Sequence, residues 1–289
     1  MMYFLLKFLA FLPLTFLQLL GSWIARLLYQ FNSSIRRITQ INIQLVYPEL
    51  NQLQQKQLIQ KSMQSQCCSY LECIKFWGMS PAYNLAQIQQ VHQLEVLQDA
   101  LQDQRGVIVV IPHLGCWELL NAWLCTQANP MIMYKPNKNK AINRYILEAR
   151  QKTNAILVPA DETGVRAVFK HLKQGGLTVI LPDHTPKPSG GIYADFFAQN
   201  VLSGTIVPKL AQKTNCNVVG LSCLRSHDGS GFEIYCNTIS NGILSKDLQE
   251  SVLCLNQHME DAINLAPEQY IWSYKRFRNC ADQINPYRC

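Results

Sequence analysis

From Val107 onward, short apolar runs alternate with longer segments of helical spacing, and this alternation constrains the fold more than any other feature. The apolar runs lie at residues 107–111, 130–134, 155–158, 178–181, 218–224 and 232–235. Helices are predicted at residues 117–126, 139–152, 162–173, 202–214 and 246–265. Because buried strands that alternate with helices are typical of parallel sheets covered on both faces, the pattern predicts an α/β fold with a mainly parallel central sheet flanked by helices.

The front of this domain, residues 31–104, has helical spacing throughout. Helices are predicted at residues 35–46, 51–79 and 85–103. The sequence shows no internal repeat and no low-complexity tail. We therefore expect the helical front part and the α/β part, residues 105–289, to form one continuous unit.

Residues 1–30 are almost wholly apolar and form a separate predicted segment. A stretch of about 20 apolar residues can cross a bilayer. Arg26, Arg36 and Arg37 favour a cytoplasmic position for the following domain. The charge of Lys7 also permits a helix that lies in the membrane interface. Two other interpretations are a cleaved signal peptide and a buried core helix. We predict an N-terminal membrane-anchoring helix here.

The chain carries a formal net charge of +7, with 48% hydrophobic and 16% charged residues. This composition is too polar for a protein with several membrane spans. The positive charge favours phospholipid head groups, phosphorylated substrates or acidic proteins as partners. We expect no nucleic-acid partner, because the basic residues are dispersed and no recognised binding module is present.

The 11 cysteines are scattered along the chain and include neither a C-x-x-C pair nor a zinc-type spacing. We expect no metal site from them. Their spread is typical of reduced cysteines used as small apolar residues. It favours a reducing compartment over a disulfide-stabilised secreted fold.

His113 follows the first apolar run, and Glu118 lies five positions later. In open parallel sheets, sites gather at the carboxyl ends of strands, which is where His113 is expected. A carboxylate beside an imidazole fixes its tautomer and makes it a better general base. The spacing alone also fits a structural histidine that caps the next helix.

A serine nucleophile in a G-x-S-x-G turn is absent from the sequence, which suggests that the substrate supplies the reacting hydroxyl.

Two further segments carry candidate site residues. The segment 134–152 is rich in cations, including Lys135 and Arg150, and a Pro/Gly-rich loop after the run at 178–181 carries Asp183 and His184.

Several of these segments, in this order, resemble the bacterial lipid A biosynthesis (late or secondary) acyltransferases, within the lysophospholipid acyltransferase superfamily. They are the apolar N-terminus, RRITQINIQLVYPEL, HLGCWEL, YKPN, GVRAVFKHLKQGGLTVILPDH, a loop ending in FF, and APEQYIWSYKRF. The resemblance covers nearly the whole chain. One departure is Ala198, which follows Phe196-Phe197 where the family usually has glycine.

The resemblance implies an acyltransferase that moves a fatty acyl chain from an acyl-carrier-protein thioester, or alternatively from acyl-coenzyme A, to a hydroxyl of a lipid A precursor. It places the reaction at the cytoplasmic side of the inner membrane, in contact with inner membrane lipids. It implies His113 as general base and Glu118 as its partner. Arg150 and Asp183 match positions that are treated as functional in the family, and Lys135 and Arg166 lie in matching segments. We expect these four residues to bind substrate or stabilise charge.

Because the sequence offers a base but no protein nucleophile, we expect direct transfer without a covalent enzyme intermediate. No metal or organic cofactor is expected, because the thioester already carries the activation. Two other functions fit the residues. One is an acyltransferase acting on a lysophospholipid, a glycerol phosphate or a glycolipid, and the other is a membrane-tethered lipid-binding protein in which His113 is structural.

Overall fold

A seven-stranded sheet forms the centre of the computed structural model, which describes residues 1–282 and 284–288. The strands are β1 (Ile88–His92), β2 (Val107–Val110), β3 (Pro130–Tyr134), β4 (Ile156–Pro159), β5 (Leu177–Ile180), β6 (Gly191–Phe196), β7 (Gln199–Gly204), β8 (Asn217–Arg225) and β9 (Phe232–Thr238). The strand order across the central sheet is β1-β9-β8-β2-β5-β3-β4. Strands β6 and β7 form a separate antiparallel hairpin.

The central strands β2 and β5 are buried along their whole length and pair in parallel, from Val107 opposite Leu177 to Val110 opposite Ile180. Strands β8, β3 and β4 continue the parallel arrangement. Strand β9 is antiparallel to β8, and β1 is parallel to β9. The prediction of a mainly parallel sheet flanked by helices is therefore confirmed.

Helices cover both faces of this sheet. They are α1 (Met2–Phe11), α2 (Leu14–Gln30), α3 (Ser34–Val46), α4 (Gln52–Gly78), α5 (Pro81–Leu85), α6 (Leu94–Gln102), α7 (Leu119–Gln127), α8 (Lys140–Gln151), α9 (Glu162–Lys173), α10 (Ile206–Thr214) and α11 (Leu248–Leu265). Alternate side chains of β2 pack into the helical layers on the two sides of the sheet, because successive side chains of a strand point to opposite faces. Ile108 packs in the cluster that contains α9, α10 and α11, and Val109 packs in the cluster that contains α6 and α7.

Two predicted helices are partly wrong. Residues 85–103 were expected to be one helix, but Ile88–His92 forms edge strand β1, which belongs to the sheet rather than to a helical front part. Residues 202–214 were also expected to be helical throughout. Instead, Gln199–Gly204 pairs with Gly191–Phe196 as a hairpin, and the helix begins at Ile206.

The N-terminal segment forms two helices rather than the single predicted anchor helix. Pro13 separates α1 from α2, and the two helix axes bend by 119° at this break. In the described part of the chain, no single helix is long and apolar enough to span a membrane, although α1 and α2 together meet that length and composition. Large apolar side chains are exposed on both helices, including Phe4, Phe8, Phe11 and Trp23.

The ten cysteines in the described residues are all free thiols, and each is buried or half-buried. Burial raises the pKa of the thiols of Cys116 and Cys223, which lie in the core beside β2. Neutral buried thiols behave as small apolar side chains. This agrees with the role predicted from their scattered spacing.

Candidate active site

His113 and Asp183 meet at the carboxyl edge of the sheet, just beyond two paired strands. Val110 ends β2 and pairs with Ile180, which ends β5. His113 and Asp183 each lie three residues past these strand ends, so the parallel register brings them together. The Nδ1 atom of His113 lies 2.8 Å from Oδ1 of Asp183, and the backbone amide of His113 donates to Oδ2 at 2.9 Å.

This double contact fixes the orientation and the tautomer of the imidazole. The side chain of Asp183 is fully buried, whereas that of His113 remains 19% exposed. Because Nδ1 is committed to the carboxylate, Nε2 is the ring nitrogen available to a substrate. A carboxylate–imidazole pair in this arrangement is the base and orienting half of a catalytic triad.

The electrostatics of the pair favour the charged imidazole. Burial alone would lower the pKa of His113. The charge of Asp183, its hydrogen bond to the ring and a smaller effect of the Glu118 charge together outweigh burial, so the pKa of His113 is raised above its ordinary value. For Asp183, burial acts in the opposite direction, yet the facing imidazole and the backbone amide hold the pKa of its carboxyl well below the usual range. The site therefore stabilises the imidazolium that forms when His113 accepts a proton.

Two aromatic rings contact His113, and a third extends the stack. His184 stacks on it with ring centroids 4.0 Å apart, and Tyr274 stacks on the other face of His184 at 3.9 Å. Trp117 contacts His113 edge-on at 5.3 Å. Burial between the rings, together with the nearby charge of His113, lowers the pKa of His184 to about 4. His184 is thus neutral near pH 7, and it adds no second positive charge beside His113.

In this structure Asp183 is the hydrogen-bond partner of the His113 imidazole. Among the described residues Glu118 makes no hydrogen bond or ion pair with His113, and its expected role beside the base stays a prediction. Helix α7 begins only at Leu119, so His113 and Glu118 do not share a helical face. Glu118 instead accepts a hydrogen bond from Nε1 of Trp77 at 2.8 Å and one from Nη2 of Arg150 at 2.6 Å. Both partners of this ion pair have side chains only 13% exposed.

Arg150 lies in the last turn of α8 and is held largely by Glu118. Its Nε is buried and makes no hydrogen bond to any residue that the structure describes. The neighbouring Lys152 fixes this end of α8 by donating to the carbonyl oxygens of Trp77, Gly78 and Met79 at the end of α4. Arg150, one of the predicted site residues, therefore lies beside Glu118 with its guanidinium largely buried and held in place.

The other two predicted cations lie elsewhere. Lys135 follows β3 and is exposed. Arg166 is exposed on α9 and forms an ion pair with Glu162 at 3.6 Å. Neither of them shares a hydrogen bond or ion pair with His113 or Asp183 in the described chain. The structure thus brings His113 and Asp183 together, and Glu118 with Arg150, but adds neither Lys135 nor Arg166 to these pairs.

The turn after His113 requires a glycine at position 115. Gly115 has a φ of +59°, and a Cβ added there would lie 2.0 Å from the carbonyl oxygen of Cys223. Its amide donates to the carbonyl of Gln269 at 3.0 Å, and its carbonyl accepts from Oγ of Ser69 at 2.8 Å. The turn is therefore fixed from several sides of the fold.

A buried ion pair lies behind this turn. Nε of Arg225 donates to Oε1 of Glu72 at 2.8 Å, and the Glu72 side chain is fully buried. The guanidinium also donates to Ser69, the residue that holds the Gly115 carbonyl. Gln18 of α2 donates to the same Glu72 oxygen at 2.9 Å. The members of this network are far apart along the chain, so sequence spacing does not indicate it.

Comparison with known proteins identifies the family to which the chain is similar. The family model described as "Bacterial lipid A biosynthesis acyltransferase" matches residues 1–279. The chain is 24% identical over 268 residues to the lipid A biosynthesis lauroyltransferase of Escherichia coli K12, covering 92% of this chain and 87% of that protein. The lipid A biosynthesis palmitoleoyltransferase of the same strain is also 24% identical, with 92% and 86% coverage.

A more distant similarity extends to another acyl acceptor. The phosphatidylinositol mannoside acyltransferase of Mycolicibacterium smegmatis is 24% identical over 182 residues, which is 62% of this chain and 59% of that protein. The family match over residues 1–279 confirms the resemblance seen in the ordered motifs. The chain belongs to the bacterial lipid A biosynthesis acyltransferase family.

Proposed function

We propose that this acyltransferase moves a fatty acyl chain from an acyl-carrier-protein thioester to a hydroxyl group of a lipid A precursor. The observation that carries the proposal is the His113–Asp183 pair, in which Asp183 holds Nδ1 and Nε2 is left for the substrate. The relatives named for lauroyl and palmitoleoyl transfer in lipid A biosynthesis support the substrate class.

The proposed reaction proceeds in one direct transfer. Nε2 of His113 removes the proton from the acceptor hydroxyl, and the oxygen attacks the thioester carbonyl. The C–O bond forms as the C–S bond breaks, and the imidazolium returns its proton to the departing thiolate. The products are an ester and a free thiol. Proton transfer of this kind contributes about 10²- to 10⁴-fold to a rate.

We assign Glu118 and Arg150 a joint role beside the base. Glu118 fixes the guanidinium of Arg150, and its charge also favours protonation of His113. Arg150 is proposed to stabilise negative charge, either on the thioester oxygen during attack or on a substrate phosphate. Both tasks suit a guanidinium that a carboxylate already holds in place.

We propose that α1 and α2 attach the enzyme to the cytoplasmic side of the inner membrane by lying in the interface. The exposed aromatic side chains of α1 and α2 support this mode. Arg26 near the end of the apolar segment, with Arg36 and Arg37 just after it, supports the cytoplasmic side. Such attachment would hold the site close to an acceptor that is itself a membrane lipid.

The test is mass spectrometry of lipid A from a deletion strain that carries wild-type protein, His113→Ala or the control His227→Ala. His227 is exposed in the turn between β8 and β9, and among the described residues it shares no hydrogen bond or ion pair with His113 or Asp183. We expect wild type and His227→Ala to restore one acyl chain and His113→Ala to restore none. Restoration by His113→Ala at more than a few per cent of the wild-type rate would remove His113 from the role of base.

A second acceptor class is supported by the similarity to the phosphatidylinositol mannoside acyltransferase. In that case the same pair would act on the hydroxyl of a different glycolipid or phospholipid. Deletion would then leave lipid A unchanged and alter the acylation of another membrane lipid. Lipidomics of the same strains separates the two acceptors.

A further inference from the structure

An open apolar groove of about 470 Å³ lies between α9 and α10. Its floor is formed by Val165 and Phe169 of α9 and by Ile206 and Leu210 of α10. The proposed transfer chemistry uses none of these side chains. A concave apolar surface of this size is typical of a binding site rather than of ordinary surface packing.

Cations line the rim of this groove. Arg166 lies on one side, and Lys209 and Lys213 lie on the other. All three side chains are exposed, as are Lys170 and Lys173 further along α9. Within residues 1–282 and 284–288, the four lysines form no ion pair with a carboxylate, and Arg166 has only the exposed contact with Glu162. The rim therefore presents uncompensated positive charge around an apolar floor.

The groove is connected to the loop that carries the candidate active site. Gly190 and Thr205 close one end of the groove, and the Thr205 amide donates to the Gly190 carbonyl at 3.0 Å. Gly190 belongs to the same loop as Asp183 and His184. A partner seated in the groove would thus contact the loop that carries Asp183, the residue that holds the base.

The groove is separate from the apolar surface of α1. Helix α1 packs against Tyr145 of α8, and among the described residues none from α1 or α2 lines the groove. The groove is therefore not part of the exposed apolar surface of the N-terminal helices. Its rim of exposed cations suits an acidic protein partner.

We propose that the groove between α9 and α10 is the docking surface for the acidic carrier protein that delivers the acyl thioester. The inference rests on the proposed donor. An acidic amphipathic helix of the carrier would place its apolar side chains on Phe169 and Ile206 and its carboxylates against Lys209 and Lys213. Apolar anchors supply affinity in such helix-in-groove contacts, and complementary charge supplies speed and specificity.

The test compares two donors of the same acyl group, an acyl carrier protein and acyl-coenzyme A, with the double variant Lys209→Glu, Lys213→Glu. We expect KM for the acyl carrier protein to rise about 10-fold or more, with kcat and the KM for acyl-coenzyme A within about 2-fold of wild type. The matched control is Lys56→Glu, Lys61→Glu, two exposed lysines of α4, which should leave both KM values unchanged. Fluorescence anisotropy of labelled carrier protein measures docking directly and does not depend on turnover.

The outcomes separate this inference from the proposed function. Unchanged KM and unchanged anisotropy in the Lys209/Lys213 variant would overturn the docking site while wild-type turnover still supported the acyl transfer. Absence of turnover by wild type with either donor would instead contradict the proposed donor reaction. If the variant lost binding to vesicles of anionic phospholipid but kept its affinity for the carrier, the groove would be a lipid site and the inference would be wrong.

Discussion

Asp183 holds His113 through two different atoms, accepting the ring N–H at Nδ1 on one carboxylate oxygen and the backbone amide on the other. The side chain and the main chain of the base are therefore fixed by the same buried group. This contact lies between two loops that follow neighbouring strands, so the sheet itself determines the geometry of the pair.

Replacing Asp183 by asparagine should separate orientation from charge. We expect Asp183→Asn to lower kcat/KM by about 10²- to 10⁴-fold, because an amide can donate to Nδ1 and favour the wrong tautomer. The base must be neutral, and Asp183 raises the pKa of His113, so the wild-type rate should rise with pH through a value above 6.5. In the variant the carboxylate no longer raises the pKa of His113, while burial still lowers it. The acid limb of the pH–rate profile should therefore move to lower pH. An acid limb that stays in place would contradict the assignment.

Glu118 and Arg150 should behave as one unit. We expect Glu118→Gln and Arg150→Gln each to lower turnover by about 10- to 100-fold, and the double variant to lose little more than the worse single variant. The reason is that each substitution removes the same buried charge-assisted hydrogen bond. A double-mutant cycle on kcat/KM, with chemical unfolding to confirm folding, measures the coupling. Fully additive losses would show that the two side chains act independently.

Gly115 should tolerate no side chain. In Gly115→Ala the new Cβ meets the Cys223 carbonyl, and the left-handed backbone is itself unfavourable. We expect a loss of more than about 2 kcal/mol in the free energy of unfolding, together with at least a 10²-fold loss of activity. Gly229 is the matched control, since it has a φ of +74° with no heavy atom within 4 Å of an added Cβ. Equal destabilisation by Gly229→Ala would show that conformation alone, without the steric contact, is responsible.

Ala198 occupies a position that favours glycine. Phe197 and Ala198 connect β6 and β7 with φ values of 50° and 55°, as a two-residue hairpin turn requires. We expect Ala198→Gly to raise the free energy of unfolding by up to about 1 kcal/mol, because relief of the left-handed strain exceeds the added flexibility of the unfolded chain. Urea unfolding of the two proteins measures the difference. A less stable variant would mean that the Ala198 methyl group contributes packing that outweighs the strain.

The aromatic surface of α1 should control attachment to membranes. Phe4, Phe8 and Phe11 are 72%, 63% and 80% exposed, and burying one such side chain contributes about 1.5–3 kcal/mol. The triple serine variant should bind vesicles at least about 10-fold more weakly in a flotation assay while it remains folded. Leu265→Ser, at an exposed leucine of α11, is the control. Undiminished flotation of the triple variant would exclude α1 as the attachment surface.

The periodicity of the sequence was sufficient for most of the α/β part. Strands β2, β3 and β5 were predicted within about one residue, because they are short apolar runs that the sheet buries. Strand β1 was missed because it is an edge strand whose residues Gln89 and Gln90 are exposed, so it lacks the apolar signature. The β6–β7 hairpin was missed because its second strand runs almost directly into α10.

The site was only partly predictable for a related reason. His113 and Asp183 each follow a predicted strand, and their equal distance from the strand ends indicates contact once the pairing of β2 with β5 is known. Strand order is not encoded in local periodicity, however, and the nearer carboxylate, Glu118, was the natural choice from spacing alone. Its true partners lie on α4 and α8, which only the assembled fold brings together.

The hydrogen bond from Gln18 to Glu72 gives the N-terminal helices a connection to the chemistry. From Glu72 the contacts continue through Arg225 and Ser69 to the Gly115 carbonyl in the turn after His113. A detergent that separated α2 from α4 would therefore remove the hydrogen bond from Gln18 to the buried Glu72 carboxylate. It would also weaken the contacts that hold the turn after His113. The specific activity of a purified preparation would then report how well its N-terminal helices survived extraction, and a nanodisc preparation should be the more active form.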